Sequence, residues 1–107
     1  MIVLFVRFTP GKDDERRDLL EAHHAYLEEN YASGRFLASG PADSGDGVIL
    51  IKGDDADAMA ELASNDPFVR AGIARYDPIH VRVTRASRDS IAIEVGEAGA
   101  AAAAGEV

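Results

Sequence analysis

Two residues of this chain are of types that could do chemistry together: His23, an imidazole able to move a proton near neutrality, and Asp66, a carboxylate able to hold the ring's other nitrogen. On a helical wheel turning about 100° per residue, Leu19, Leu20, Tyr26, Leu27 and Tyr31 cluster on one side. His23 falls near the middle of that cluster and His24 at its edge. A histidine on such a stripe is either a satisfied core residue or a side chain aimed into a pocket between helix and sheet. The phrase Asn65-Asp66-Pro67-Phe68 supplies the carboxylate, but it also has a structural reading of its own, with aspartate as helix N-cap and proline at the first helical position. A capping carboxylate spends its oxygens on backbone N–H groups, so capping and catalysis compete unless one oxygen serves each. Gly40-Pro41 reads first as a turn, and secondarily as a backbone edge that approaches a ligand.

The chain that must position these groups has 107 residues, the size of one domain with a single core. With 47% hydrophobic and 28% charged residues it has the balance of an ordinary folded protein. A formal net charge of -8 repels phosphate backbones and anionic membranes, which argues against a nucleic-acid partner. The absence of cysteine removes disulfides, thiolate metal sites and cysteine nucleophiles. The apolar start Ile2-Val3-Leu4-Phe5-Val6 is ended by Arg7, too short for a signal peptide, and nothing later has the length of a membrane span. A soluble, cytoplasmic protein is expected.

Ile2 to Phe8, apolar on both alternating faces apart from Arg7, reads as a central strand. An amphipathic helix is expected from Asp13 or Asp14 to about Tyr31, ended by Gly34. Arg35–Ser39 and Gly47–Lys52 read as a hairpin around a long polar loop, residues 40–46. Asp54 or Asp55 can cap a second helix that ends near Asp66, because Pro67 disfavours helical geometry before it; a short helical turn then runs to Gly72. After Asp77-Pro78, the alternation of Ile79 to Thr84 predicts a fourth, half-exposed strand. The order is β-α-β-β-α-β, a ferredoxin-like α+β fold with a four-stranded antiparallel sheet and both helices on one face. The other face needs a cover, and burial alone predicts a homodimer. Residues 1–86 form the expected domain and 87–107 an extension, in which Ile91–Val95 could form a fifth, edge strand open to exchange between chains, before a frayed Ala/Gly-rich tail.

Taken together, the motifs resemble the YciI-like (YCII-related) family of small dimeric α+β barrel proteins, over roughly residues 2–84. The resemblance is carried by the apolar first strand, by Arg17 and His23 followed by Ala25-Tyr26-Leu27, and by Gly34-Arg35-Phe36-Leu37 leading to Ser39-Gly40-Pro41. Gly47, Asp66-Pro67-Phe68 and Gly72 complete it. It implies a homodimer whose sheets face each other and a site built on the family's histidine and aspartate, which match His23 and Asp66. The Ser39-Gly40-Pro41 segment matches one that borders that site, and Phe68 of the Asp-Pro-Phe motif joins it as a substrate contact. His24 stands where leucine is usual, Ala42 is smaller than the usual aliphatic residue, and the segment beyond Ala86 has no counterpart.

Three classes of function fit these residues. One is a cofactor-free enzyme in which His23 moves a proton on a small organic molecule, cyclic and lactone-type ones included, while Asp66 fixes its tautomer, as isomerisation, elimination or hydrolytic lactone chemistry would require. Lactone isomerases and oxygenases of the wider barrel superfamily support that class by analogy alone. The second is a non-catalytic homodimeric module that binds a small ligand or another protein, with His23 in the core and Asp66 as a cap. The third is a metal site using His23, His24 and His80, disfavoured because adjacent helical histidines point about 100° apart. Haem, held by barrel relatives, has only His23 as a candidate axial ligand. No metal or cofactor is expected.

Overall fold

The structure is a computed structural model, and it describes residues 1–87. The element order is β1 (Ile2–Phe8), α1 (Asp13–Asp18), α2 (Leu20–Ala32), β2 (Phe36–Pro41), β3 (Gly47–Ile51), α3 (Asp57–Asn65), α4 (Pro67–Arg70) and β4 (Ala74–His80). The strands form one antiparallel sheet in the order β2-β3-β1-β4, the ferredoxin-like arrangement. β1 is central, as its two-sided apolar pattern requires. Its even positions Ile2, Leu4 and Val6 are buried with Ile49 and Ile51 of β3, Phe36 of β2 and Ala74 of β4. Against them pack Tyr26 of α2, Met59 and Leu62 of α3 and Phe68 of α4, so one core lies between the helices and one sheet face.

Three boundaries differ from expectation. The first helix is broken at Leu19, whose φ of -96° and ψ of 2° lie outside helical space. No glycine or proline marks the break; it turns Leu19 into the core, while Leu20 stays 43% exposed. The second strand continues through Gly40 and Pro41, which pair with Val48 and Gly47 and do not turn. The fourth strand runs over Ala74–His80, earlier than Ile79–Thr84, with Pro78 opposite Leu4. Both prolines sit in edge strands, where a missing N–H costs no interior ladder bond. At α3 neither aspartate is the N-cap, which is Ala56. Asp55 Oδ1 instead accepts the Asp57 N–H at 2.9 Å, and Asp54 meets the N-terminal ammonium at 2.8 Å. The expected fifth strand and tail lie outside the described residues.

Gly34 and Gly72 stop α2 and α4 in the same way. Each has φ near +75° to +80° and donates to the carbonyl three residues back, while the following residue donates five back. That geometry sends Arg35 into β2 and buries Ile73 before β4.

The far face of the sheet carries Val3 flanked across the ladder by Leu50 and Ile79, with Phe5 beside them. Arg7 shares this face. Its guanidinium contacts Asp46 at 2.7 Å and Asp77 at 3.1 Å and lies 4.5 Å from the Phe5 ring. The Arg7 hydrogen bond holds the Asp46 carboxyl below its usual range.

Because Leu4 is fully buried at the centre of the core, Leu4→Ala should destabilise the fold by about 2–5 kcal/mol. A urea unfolding curve with an unchanged slope and a lower midpoint is the expected result.

Candidate functional site

The Asp66 carboxylate is the starting point, because its side chain has no solvent exposure at all. An ionised group in that position must be fully hydrogen-bonded. The α3–α4 junction supplies the first donor: Pro67 begins α4, and Asp66 Oδ1 accepts the Phe68 N–H at 2.9 Å as an N-cap. β4 supplies the second, the Tyr76 hydroxyl, which donates to Oδ2 at 2.6 Å. Behind it the Tyr26 hydroxyl lies 2.8 Å from that of Tyr76 and 3.3 Å from the Leu62 carbonyl. Tyr76 gives its one proton to the carboxylate, so its oxygen is the acceptor for the proton of Tyr26, and the longer Leu62 contact is secondary. Burial drives the Tyr26 hydroxyl up to about 12. It raises Tyr76 further, and the neighbouring Asp66 charge adds to the effect.

His23 approaches the same carboxylate from α2. Its ring stacks on Phe68, with centroids 4.4 Å apart and planes at 29°. Nδ1 lies 3.9 Å from Asp66 Oδ1, beyond hydrogen-bond distance, and is buried without any other partner. The side chain keeps 16% of its surface accessible, which leaves Nε2 as the nitrogen able to reach a ligand.

That open edge of the ring lines a cleft of about 300 Å³ between α1, α2, α4 and the strand ends. Val6, Phe8, Leu20, Leu27 and Ile49 give it apolar walls, and Ser39, Gly40, Pro41 and Phe68 border it as expected from the sequence. Asp66 stands behind the wall and does not line it. Tyr31 fixes the Ser39 hydroxyl through a 2.5 Å hydrogen bond. Arg16 and His24 also line the cleft, and among its lining residues there is no carboxylate. The Arg16 guanidinium sits 3.6 Å above the Phe8 ring. Arg17, the arginine of the sequence motif, is exposed and pairs with Asp14 at 3.3 Å. Arg16, Tyr26 and Tyr76 were not singled out as site residues from sequence. Tyr76 lies in a stretch that reads as the approach to a strand.

Residues 1–81 match the YCII-related domain. The chain belongs to that family. No curated protein matches it in sequence. Among solved structures, this YCII-related domain is similar to 5-chloro-2-hydroxyhydroquinone dehydrochlorinase (TftG) from Burkholderia phenoliruptrix AC1100, in complex with 2,5-dihydroxybenzoquinone. The two are 26% identical with a TM-score of 0.63, over 76% of this chain and 93% of the other. Among the described residues of the YCII-related chain, no helix is long and apolar enough to cross a membrane.

The buried tyrosines make the fold sensitive to alkali. A hydroxyl whose folded value is raised above the ordinary value near 10 contributes stability that is complete below pH 10 and lost as pH climbs through the folded value. Unfolding free energy measured by urea titration should therefore be flat from neutrality to about pH 10 and fall steadily toward pH 12. Phenolate absorbance should show the Tyr26 and Tyr76 hydroxyls ionising above the ordinary tyrosine range.

Proposed function

We propose that this YCII-related protein is a cytoplasmic homodimeric enzyme, needing no cofactor, in which His23 transfers a proton on a planar small organic molecule bound in the cleft beside Phe68. The observation that carries this reading is the imidazole itself, which turns a buried, otherwise unpartnered Nδ1 toward a fully buried carboxylate while the ring's other edge lines the cleft. An anion behind Nδ1 favours the tautomer with its proton there, leaving Nε2 free to accept one from a substrate, and stabilises the imidazolium that results. The 3.9 Å gap is of the kind that tightens when a ligand fills a site. Asp66 is tethered through both oxygens, so the imidazole is the partner that must move.

Cleft chemistry narrows the substrate. Apolar walls with one arginine, two histidines and a serine suit a flat ring bearing an acidic hydroxyl or its anion. TftG, a dehydrochlorinase crystallised with a dihydroxybenzoquinone, supports such a ring and an elimination in which a base removes the proton. The 3.9 Å separation also sustains a second reading, a module that binds the same kind of ligand without turning it over.

The apolar row Leu50, Val3 and Ile79, the last 50% exposed, supports the homodimer, since a second copy of the sheet would cover it. Sedimentation should give twice the chain mass, and Phe5→Glu on the same face should yield a monomer. A monomeric wild type would sink the dimer.

Chlorinated hydroxyhydroquinones assayed for chloride release, with 2,5-dihydroxybenzoquinone as the binding probe, test the chemistry. His23→Ala should lower turnover by about 10²–10⁴-fold, and Asp66→Asn should lower it too while probe binding persists. Equal turnover by wild type and both variants would end the catalytic reading. Tight binding without turnover of any member would favour the binding module.

A further inference from the structure

Tyr76 makes the shortest contact of the Asp66 carboxylate, 2.6 Å to Oδ2, and is itself backed by Tyr26 at 2.8 Å. Since no solvent reaches Asp66, its charged form depends on protein donors alone: the Phe68 N–H, the Tyr76 hydroxyl and, 3.9 Å away, the imidazole. Few titratable or charged groups face this pair. α2 contributes Tyr26 and the neighbouring His24, β4 contributes Tyr76, α1 contributes Arg16 across the cleft, and Glu29 of α2 and Arg35 just before β2 act with opposite signs on Tyr26. From α3 and α4 come only the Leu62 carbonyl and the capping N–H. Burial keeps both tyrosines protonated throughout the neutral range, so they are permanent donors.

We infer that Tyr76, backed by Tyr26, is a positioning residue that keeps Asp66 an anion with Oδ1 facing His23 Nδ1, and so sets the pH at which the His–Asp pair gives up its proton. The inference rests on the proton-transfer reading of His23 but concerns the resting protein. Without the hydroxyl, Oδ2 becomes a buried acceptor lacking a donor. An anion stripped of that donor draws on the imidazolium instead, so the His23 ring should hold its proton more tightly.

A ¹⁵N NMR titration of the histidine rings in the full chain tests this, with His80 as the internal reference. In Tyr76→Phe the midpoint read at His23 should rise by about one pH unit relative to wild type. Tyr26→Phe should move it the same way by less, and the His80 ring should not move. In an Asp66→Asn background, which retains a good N-cap without the charge, Tyr76→Phe should no longer have an effect. A tyrosine that merely fills space would lower the melting temperature and leave the His23 midpoint unchanged. That result, or a shift that survives Asp66→Asn, overturns the inference. Where Tyr76→Phe fails to fold, Tyr26→Phe decides alone. A shift in a protein without turnover supports the positioning role while the catalytic reading falls; an unchanged midpoint in an active enzyme sinks the positioning role only.

Discussion

Burying one carboxylate completely is the constraint around which the rest of this domain is arranged. Asp66 has no water to solvate it, so donors must be brought from separate parts of the chain. Phe68 provides one only because Pro67 starts a helix there, and α4 is a single turn held at its other end by Gly72. Tyr76 provides another only because β4 pairs with β1 in a register that puts Tyr76 opposite Val6, on the helix side of the sheet. Tyr26 completes the chain of hydroxyls from α2. One side chain thus links the α3–α4 junction to the sheet edge and to the helix that carries His23.

Capping and the approach of His23 fall on the same oxygen of Asp66. Oδ2 is committed to Tyr76, whereas Oδ1 accepts the capping N–H and still has a lone pair in the direction of His23. Phe68 does two jobs in the same arrangement: its N–H binds the carboxylate, and its ring, buried among the core residues, is the surface on which the imidazole lies. The stacking fixes the ring plane, so that movement toward Asp66 is a slide across Phe68.

Much of this was legible in the residues, for physical reasons that can be named. A strand apolar on both sides belongs in the middle of a sheet, and β1 is there. The wheel separates His23 from His24 because adjacent helical positions diverge by about 100°, and the two rings do differ, His23 half-buried over Phe68 and His24 exposed. Asp-Pro announces its cap locally. What escaped is what depends on long-range register. Tyr76 was hidden because Asp77-Pro78 looks like a strand boundary, yet an edge strand accepts proline at no cost to the interior ladder. Arg16 was hidden because the break at Leu19, unmarked by glycine or proline, alters the phase between α1 and α2.

That break also decides the electrostatics of the cleft. The chain carries a net charge of -8, but among the described residues no carboxylate lines the cleft, and Arg16 meets an aromatic face and the Gly45 carbonyl at 3.5 Å where a surface arginine would commonly find an acid. Stacking on Phe8 holds the guanidinium in place without neutralising it. Arg17, one residue on, is spent on Asp14. The result is a local positive potential inside an acidic molecule, bounded by apolar walls that weaken screening. Under the proposed proton-transfer reading, an organic anion in the cleft and the Asp66 carboxylate behind its wall would flank the imidazole from opposite sides.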